Sequence, residues 1–261
     1  TMPRRFLWVV AVIAVLFMLS AWWVLERPAS AAGRAQQFAR VNLALVLFPL
    51  LASIAALGAA GAYGPKDRER TVWLAFAAAC LAQCVGRAVF AYHQLRLGQP
   101  APFPSVAEVF TVASGLFVLV GLVTELGLIR EVVHLRQVVG LAVFALLALL
   151  VGGGVFLAPL LQAGIRGIRE AVSLLFSLAG ILLVPLALLP AVVFRGGLVG
   201  YAWVLVSSAV VCLGLWVLWF SNAVFYGLWF EGHPSNVLQL LAFALLAIGA
   251  LWSRTVTLAE A

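Results

Sequence analysis

Eight apolar runs follow one another along the chain with short polar breaks between them, near residues 6–25, 41–63, 72–93, 108–129, 138–162, 171–194, 199–221 and 236–253. A bilayer core takes about 20 apolar residues per helix. Leucine, alanine and glycine fill the runs without the strict alternation of short membrane strands, so the pattern predicts helices and not a barrel. The expected fold class is all-α: a polytopic membrane protein, one transmembrane domain over 1–261, with about eight spans.

Composition agrees, with 65% hydrophobic against 10% charged residues. The first span needs a separate argument, because PRRF, an apolar stretch and PASAAG together imitate a secretory signal. Its apolar stretch is as long as a span, and Glu26, Arg27 and Pro28 intervene before the small residues. An uncleaved first helix is expected.

Basic residues set the orientation, since Lys and Arg are retained on the cytoplasmic side. With the N-terminus inside, the inner segments hold Arg4, Arg5, Lys66, Arg68, Arg70, Arg130, Arg136, Arg195 and Arg254. The outer segments hold Arg27, Arg34, Arg40, Arg96, Arg166 and Arg169. The cluster GPKDRER between spans two and three is the strongest single indication, and both termini are expected in the cytoplasm. The net charge of +7 comes from these loop arginines beside an anionic leaflet, and no nucleic-acid partner is expected.

The chemistry of cofactors and catalysis finds little support. Cys80, Cys84 and Cys212 fall inside apolar spans and read as small apolar fillers. No two histidines face each other at mid-membrane, which argues against a b-type haem. Lys66, the only lysine, lies in a loop, so no span offers a lysine for a retinal Schiff base. HExxH, GxSxG and Walker motifs are absent. The expectation is a protein that is not an enzyme and carries no cofactor.

What stands out is GRAVFAYHQLRLGQPAPFPSVAEVF, Gly86 to Phe110, where an arginine sits inside an apolar run, a proline-broken turn follows, and a glutamate opens the next run. Arg87-Ala88-Val89-Phe90 is echoed by Asn222-Ala223-Val224-Phe225, and Pro104-Ser105 by Pro234-Ser235. A parallel four-plus-four duplication, with halves 1–135 and 136–261, would explain the echo, because an even number of spans preserves orientation. Chance resemblance among apolar helices is the alternative.

Gly86-Arg87, the segment Phe90 to Tyr92, Gly98 to Ser105 and Ala107-Glu108-Val109-Phe110 together resemble the multi-span membrane sensor regions found ahead of GGDEF, EAL and histidine kinase output domains in bacteria. The resemblance covers about 30 residues, with a weaker match near Tyr226 to Leu240. This sequence has Arg87 where an acidic residue is usual, Glu108 where Asp is usual and Thr111 where Tyr is usual. The resemblance implies a sensory or ligand-binding domain of the bacterial inner membrane. Its last span would pass a displacement to a cytoplasmic signalling domain or a homodimer partner, with a helix continuing through Arg254 to Ala261.

On physical grounds Arg87 needs a partner, since an unpaired arginine near the bilayer centre costs roughly 2.5–3.5 kcal/mol on the mild insertion scale. Glu108, across the proline hairpin, is the first candidate; snorkelling to the outer headgroups is the other reading. Gln83, Tyr92 and His93 beside Arg87, and Tyr226 and Trp229 in the echoing loop, complete the candidate ligand-binding set. The expected ligand is an amphiphile, anionic or carbonyl-bearing at its head, held in a cavity between spans three, four, seven and eight. Glu125 reads as an interfacial residue beside Arg130. A small transporter, or an accessory subunit of a membrane complex, is the second function class, weakened by how few polar residues spans five to eight contain.

Overall fold

The computed structural model describes residues 4–260 apart from 29, 98–101, 130, 132, 165–166, 195–196 and 231. Among the described residues, eight helices are long and apolar enough to cross a membrane, and there is no strand. They are α1 (Arg4–Leu25), α2 (Ala31–Ala60), α3 (Arg68–Arg96), α4 (Val106–Ile129), α5 (Leu135–Ala163), α6 (Ile168–Val193), α7 (Gly197–Phe225) and α8 (Asn236–Glu260). The chain is an all-α, multi-pass membrane protein.

Several helices outrun their apolar cores, and local chemistry explains where they stop. α2 begins well before the run that predicted it, because the Ser30 hydroxyl accepts the Gly33 N–H at 3.0 Å and caps the first turn. Arg34 and Arg40, expected in a loop, therefore lie on α2. The early start also brings Gln37 to the end of α1, where its amide donates to the Trp23 and Glu26 carbonyls at 3.0 and 2.6 Å. Carbonyls that a helix end would leave orphaned are met by the neighbouring helix.

The helices pack in chain order within each half. α2 lies on α3 and α3 on α4; α6 lies on α7 and α7 on α8; α1 touches α2 as α5 touches α6. The halves join where α2 packs broadly along α8 and, more thinly, where α4 meets α6. Along that thinner junction runs an apolar groove of about 310 Å³ floored by Gly115 and Ala179 and walled by Leu119, Leu175 and Leu186. α1 packs on the α8 side as well, whereas α5 stays at the edge of the bundle with its apolar side chains turned outward. The echoed residues themselves do not share a level: Arg87 lies more than two turns before the end of α3, Asn222 in the last turn of α7.

Small residues let the backbones approach, as helix pairs in lipid require. A Cβ on Gly180 would stand 2.8 Å from the Gly214 carbonyl oxygen and 2.9 Å from Leu218 Cγ. Beside this contact the Ser221 hydroxyl bonds the Ser173 carbonyl at 2.6 Å and shares a 2.9 Å bond with Ser177, fixing the register of α6 on α7. In α5 the run Gly152-Gly153-Gly154 coincides with a π-helical turn over Gly153–Leu157, and Gly152 is pressed on Ile181 of α6. The aromatic core lies between the halves, with Trp203 of α7 stacked on Trp73 of α3 at 6.4 Å. Cys80 and Cys84 are buried free thiols in the same packing, in keeping with their reading as fillers.

Two glycines separate close packing from mere helix flexibility. Gly180→Val should lower thermal stability by about 1–3 kcal/mol through overpacking, read by heating the detergent-solubilised protein and following its monodisperse fraction. Gly115→Ala, with nothing within 4 Å of the added carbon, should leave the melting temperature unchanged or raise it.

Candidate functional site

Gly86 and Arg87 are neighbours on α3, and successive residues of a helix point about 100° apart. Gly86 takes the face against α4: a Cβ there would lie 3.1 Å from the Ala107 carbonyl oxygen and 3.2 Å from Phe110 Cβ. Arg87 is thereby turned away from α4 and toward α7 and α8. Only 3% exposed, it donates from Nη2 to Oε1 of Gln239, and its guanidinium lies 5.0 Å from the ring centre of Trp216 and 5.7 Å from that of Phe90. Aromatic faces offer a desolvated guanidinium electrostatic compensation that lipid cannot.

The expected Arg87–Glu108 ion pair does not form; among the described residues the ion pair is Arg40 with Glu26, at 3.9 Å. Glu108 instead completes a capping box at the start of α4. Ser105 donates to its carboxylate from both the backbone N–H and the hydroxyl, the latter at 2.7 Å, while the Ser105 hydroxyl accepts the Ala107 N–H. Held there, Glu108 is buried, and its second oxygen, Oε1, meets no partner among the described residues. The spacing Ser105-x-x-Glu108 carried this signal in the sequence. Residues 98–101 of the proline loop lie outside the described residues.

The other predicted residues divide. Gln83 is buried on α3, one turn before Arg87. Trp229 packs edge-on against Phe220 at 4.6 Å, and Phe220 stacks on Trp216, so Trp229 joins the Arg87 layer through two rings. His93 is half-buried and meets the ring of Tyr92, which is itself exposed. Tyr226 is exposed too, against Phe225. Tyr92, His93 and Tyr226 thus rim the end of the bundle away from Lys66 and show no contact with Arg87 among the described residues.

The sequence reading missed Gln239, Trp216 and the polar start of α8. Ser235, Asn236 and Gln239 are fully buried, and His233 nearly so. His233 sits among Trp219, Trp229 and Phe230, with its Nδ1 accepting the Ser235 N–H at 3.3 Å and lying 2.9 Å from the Ser235 hydroxyl. Burial, and then the nearby Arg27 guanidinium, hold this imidazole below its ordinary value near 6.5. A nitrogen that accepts a backbone N–H belongs to the neutral ring. Buried polar residues at the first turn of an otherwise apolar helix were the available clue.

Two donors in this layer lack acceptors. With Gln239 Oε1 taken by Arg87, its Nε2 faces no partner among the described residues, and neither does Trp216 Nε1. Beside a guanidinium they make a buried patch that offers hydrogens and calls for an oxygen.

At the opposite face, which carries Lys66 and Arg70, Glu125 sits about one turn before the end of α4. It is 4% exposed and lines a cavity of about 470 Å³. Arg130, its anticipated neighbour, lies outside the described residues. No group of three potential metal ligands occurs among the described residues. No family model, curated protein or solved structure matches the chain.

Two outcomes test the layer. Arg87→Leu and Gln239→Leu should each destabilise the protein, and the double variant should fall short of their sum by about 1.5–3 kcal/mol, the worth of a hydrogen bond to a charged group; strict additivity would mean that the bond contributes nothing. For His233, a folded value below the unfolded one means that the unfolded chain binds the extra proton first. Its contribution is complete above pH 6.5 and declines as pH falls through that value. The melting temperature should drop on mild acidification, and His233→Asn should remove that part of the drop.

Proposed function

We propose that the protein is a membrane-embedded sensory domain of the bacterial cytoplasmic membrane, with both termini inside, that binds an amphiphile and relays the event to a cytoplasmic signalling domain or a homodimer partner. The observation that carries the reading is Gln239. Its amide oxygen is bound by Arg87 and its buried amide nitrogen has no acceptor among the described residues, a state that a carboxylate or carbonyl head group entering the layer would relieve.

Gln239 also supplies the route. It belongs to α8, and the far end of the same helix presents Ser253, Val256 and Thr257 to the cavity at the Lys66 face before running on to Glu260. A ligand that exchanges the Arg87–Gln239 bond for its own acts on the first turns of α8, and a rigid helix carries a shift of one end to the other. The transporter reading draws on one observation, the cavity ending at Glu125.

Hydrogen exchange in nanodiscs tests the relay without knowledge of the ligand. Arg87→Gln should speed exchange of the Ser253–Thr257 amides several-fold while leaving α5 as it was. Unchanged exchange at that end of α8, in a folded variant, would remove the relay and favour transport.

A further inference from the structure

The cavity at the Lys66 face has chemistry opposite to that of the Arg87 layer. Glu125 projects into it from α4, and this carboxylate has neither a hydrogen bond nor an ion pair with any described residue. The walls are aromatic: Trp203 stacks on Phe194 at 6.2 Å and 15°, and on Trp73 at 6.4 Å and 28°, and the ring of Tyr63 stands nearby with its hydroxyl 3.1 Å from that of Ser253. Glu69, exposed at the start of α3, adds a second carboxylate to the lining.

A carboxylate removed from water inside a membrane domain is costly unless it is neutralised or paired. A metal ion would need further ligands of its own, and no group of three His, Cys, Asp or Glu stands together among the described residues. An anion would be repelled by Glu125 and Glu69. A neutral apolar guest would leave Glu125 as it was. An organic cation answers both features, since its charge meets the carboxylate and its substituents lie against the aromatic rings of the lining. The volume, about 470 Å³, is in the range of small-molecule sites. We propose that this cavity binds an organic cation, a quaternary onium ion or a protonated amine, with Glu125 as the counter-charge and Trp73, Trp203 and Phe194 as the aromatic walls. The site differs from the amphiphile reading at Arg87 in place and chemistry: it lies at the other face and takes the opposite charge.

The test is equilibrium binding of radiolabelled tetraphenylphosphonium to the full chain in nanodiscs, with empty nanodiscs as background. The wild type should bind saturably, and Glu125→Gln should weaken binding by about tenfold or more, the loss of the counter-charge. Glu125→Asp should retain most of the affinity, Trp203→Leu should lose several-fold, and Gly115→Ala, away from this cavity, should bind as the wild type does. Absence of saturable binding by the wild type, or equal affinity in Glu125→Gln, would overturn the proposal. Should Glu125→Gln fail to purify as monodisperse protein, Trp203→Leu decides, and unchanged affinity in that variant overturns it equally.

Discussion

Inside hydrocarbon there is no water to accept a stray hydrogen, and each polar atom the chain carries into the bundle must be met by another part of the chain. This constraint organises the whole molecule. Gln37 is spent on the end of α1, Ser221 on the α6 backbone, and Asn42 of α2 on Gln94 of α3 at 2.5 Å. Arg169 donates to the Val224 carbonyl near the end of α7 at 2.6 Å, where the helix dipole also favours a cation. Each bond crosses between helices, so satisfying polar atoms and fixing helix positions are one operation.

Among the described residues the Arg87 layer and the Glu125 cavity are two of the places where that rule is kept incompletely, beside Glu108 Oε1 and the hydroxyls of Ser173 and Ser207. The first leaves buried donors, the second a buried carboxylate, and they lie toward opposite ends of the same helical core. Between them stand close-packed aromatics, Phe76 and the stacked Trp73 and Trp203. The domain is therefore dry and dense at its middle and chemically unfinished toward both faces.

Much of the architecture was legible in the sequence, because span length and apolar content are imposed by bilayer thickness and need no knowledge of tertiary contacts. The eight helices follow from it directly. Helix limits were harder: Ser30 starts α2 early through a single hydroxyl bond, which hydropathy does not register. Arg87 was legible as a buried charge in need of company, yet its partner was not. The sequence shows Glu108 as the nearest acid across the hairpin, whereas Gly86 decides which way Arg87 faces and Ser105 occupies Glu108 first. Gln239 is one amide in an apolar run, and only the packing of α8 against the rest reveals it as the partner. The cavity around Glu125 was not legible for a related reason, since nearness to a helix end does not tell whether that end opens to water or into a cavity.

The unequal junctions between the halves have a mechanical meaning. α2 and α8 share a broad interface reinforced by α1, while α4 and α6 meet thinly around a groove with glycine at its floor. A ring of helices joined firmly on one side and loosely on the other behaves like a book with a spine. Parting α2 from α8 would expose a large packed surface, whereas parting α4 from α6 widens an apolar crevice that already separates them. A loosening that spares the Trp73–Trp203 stack between the halves therefore starts at the α4–α6 edge, on the side of the groove.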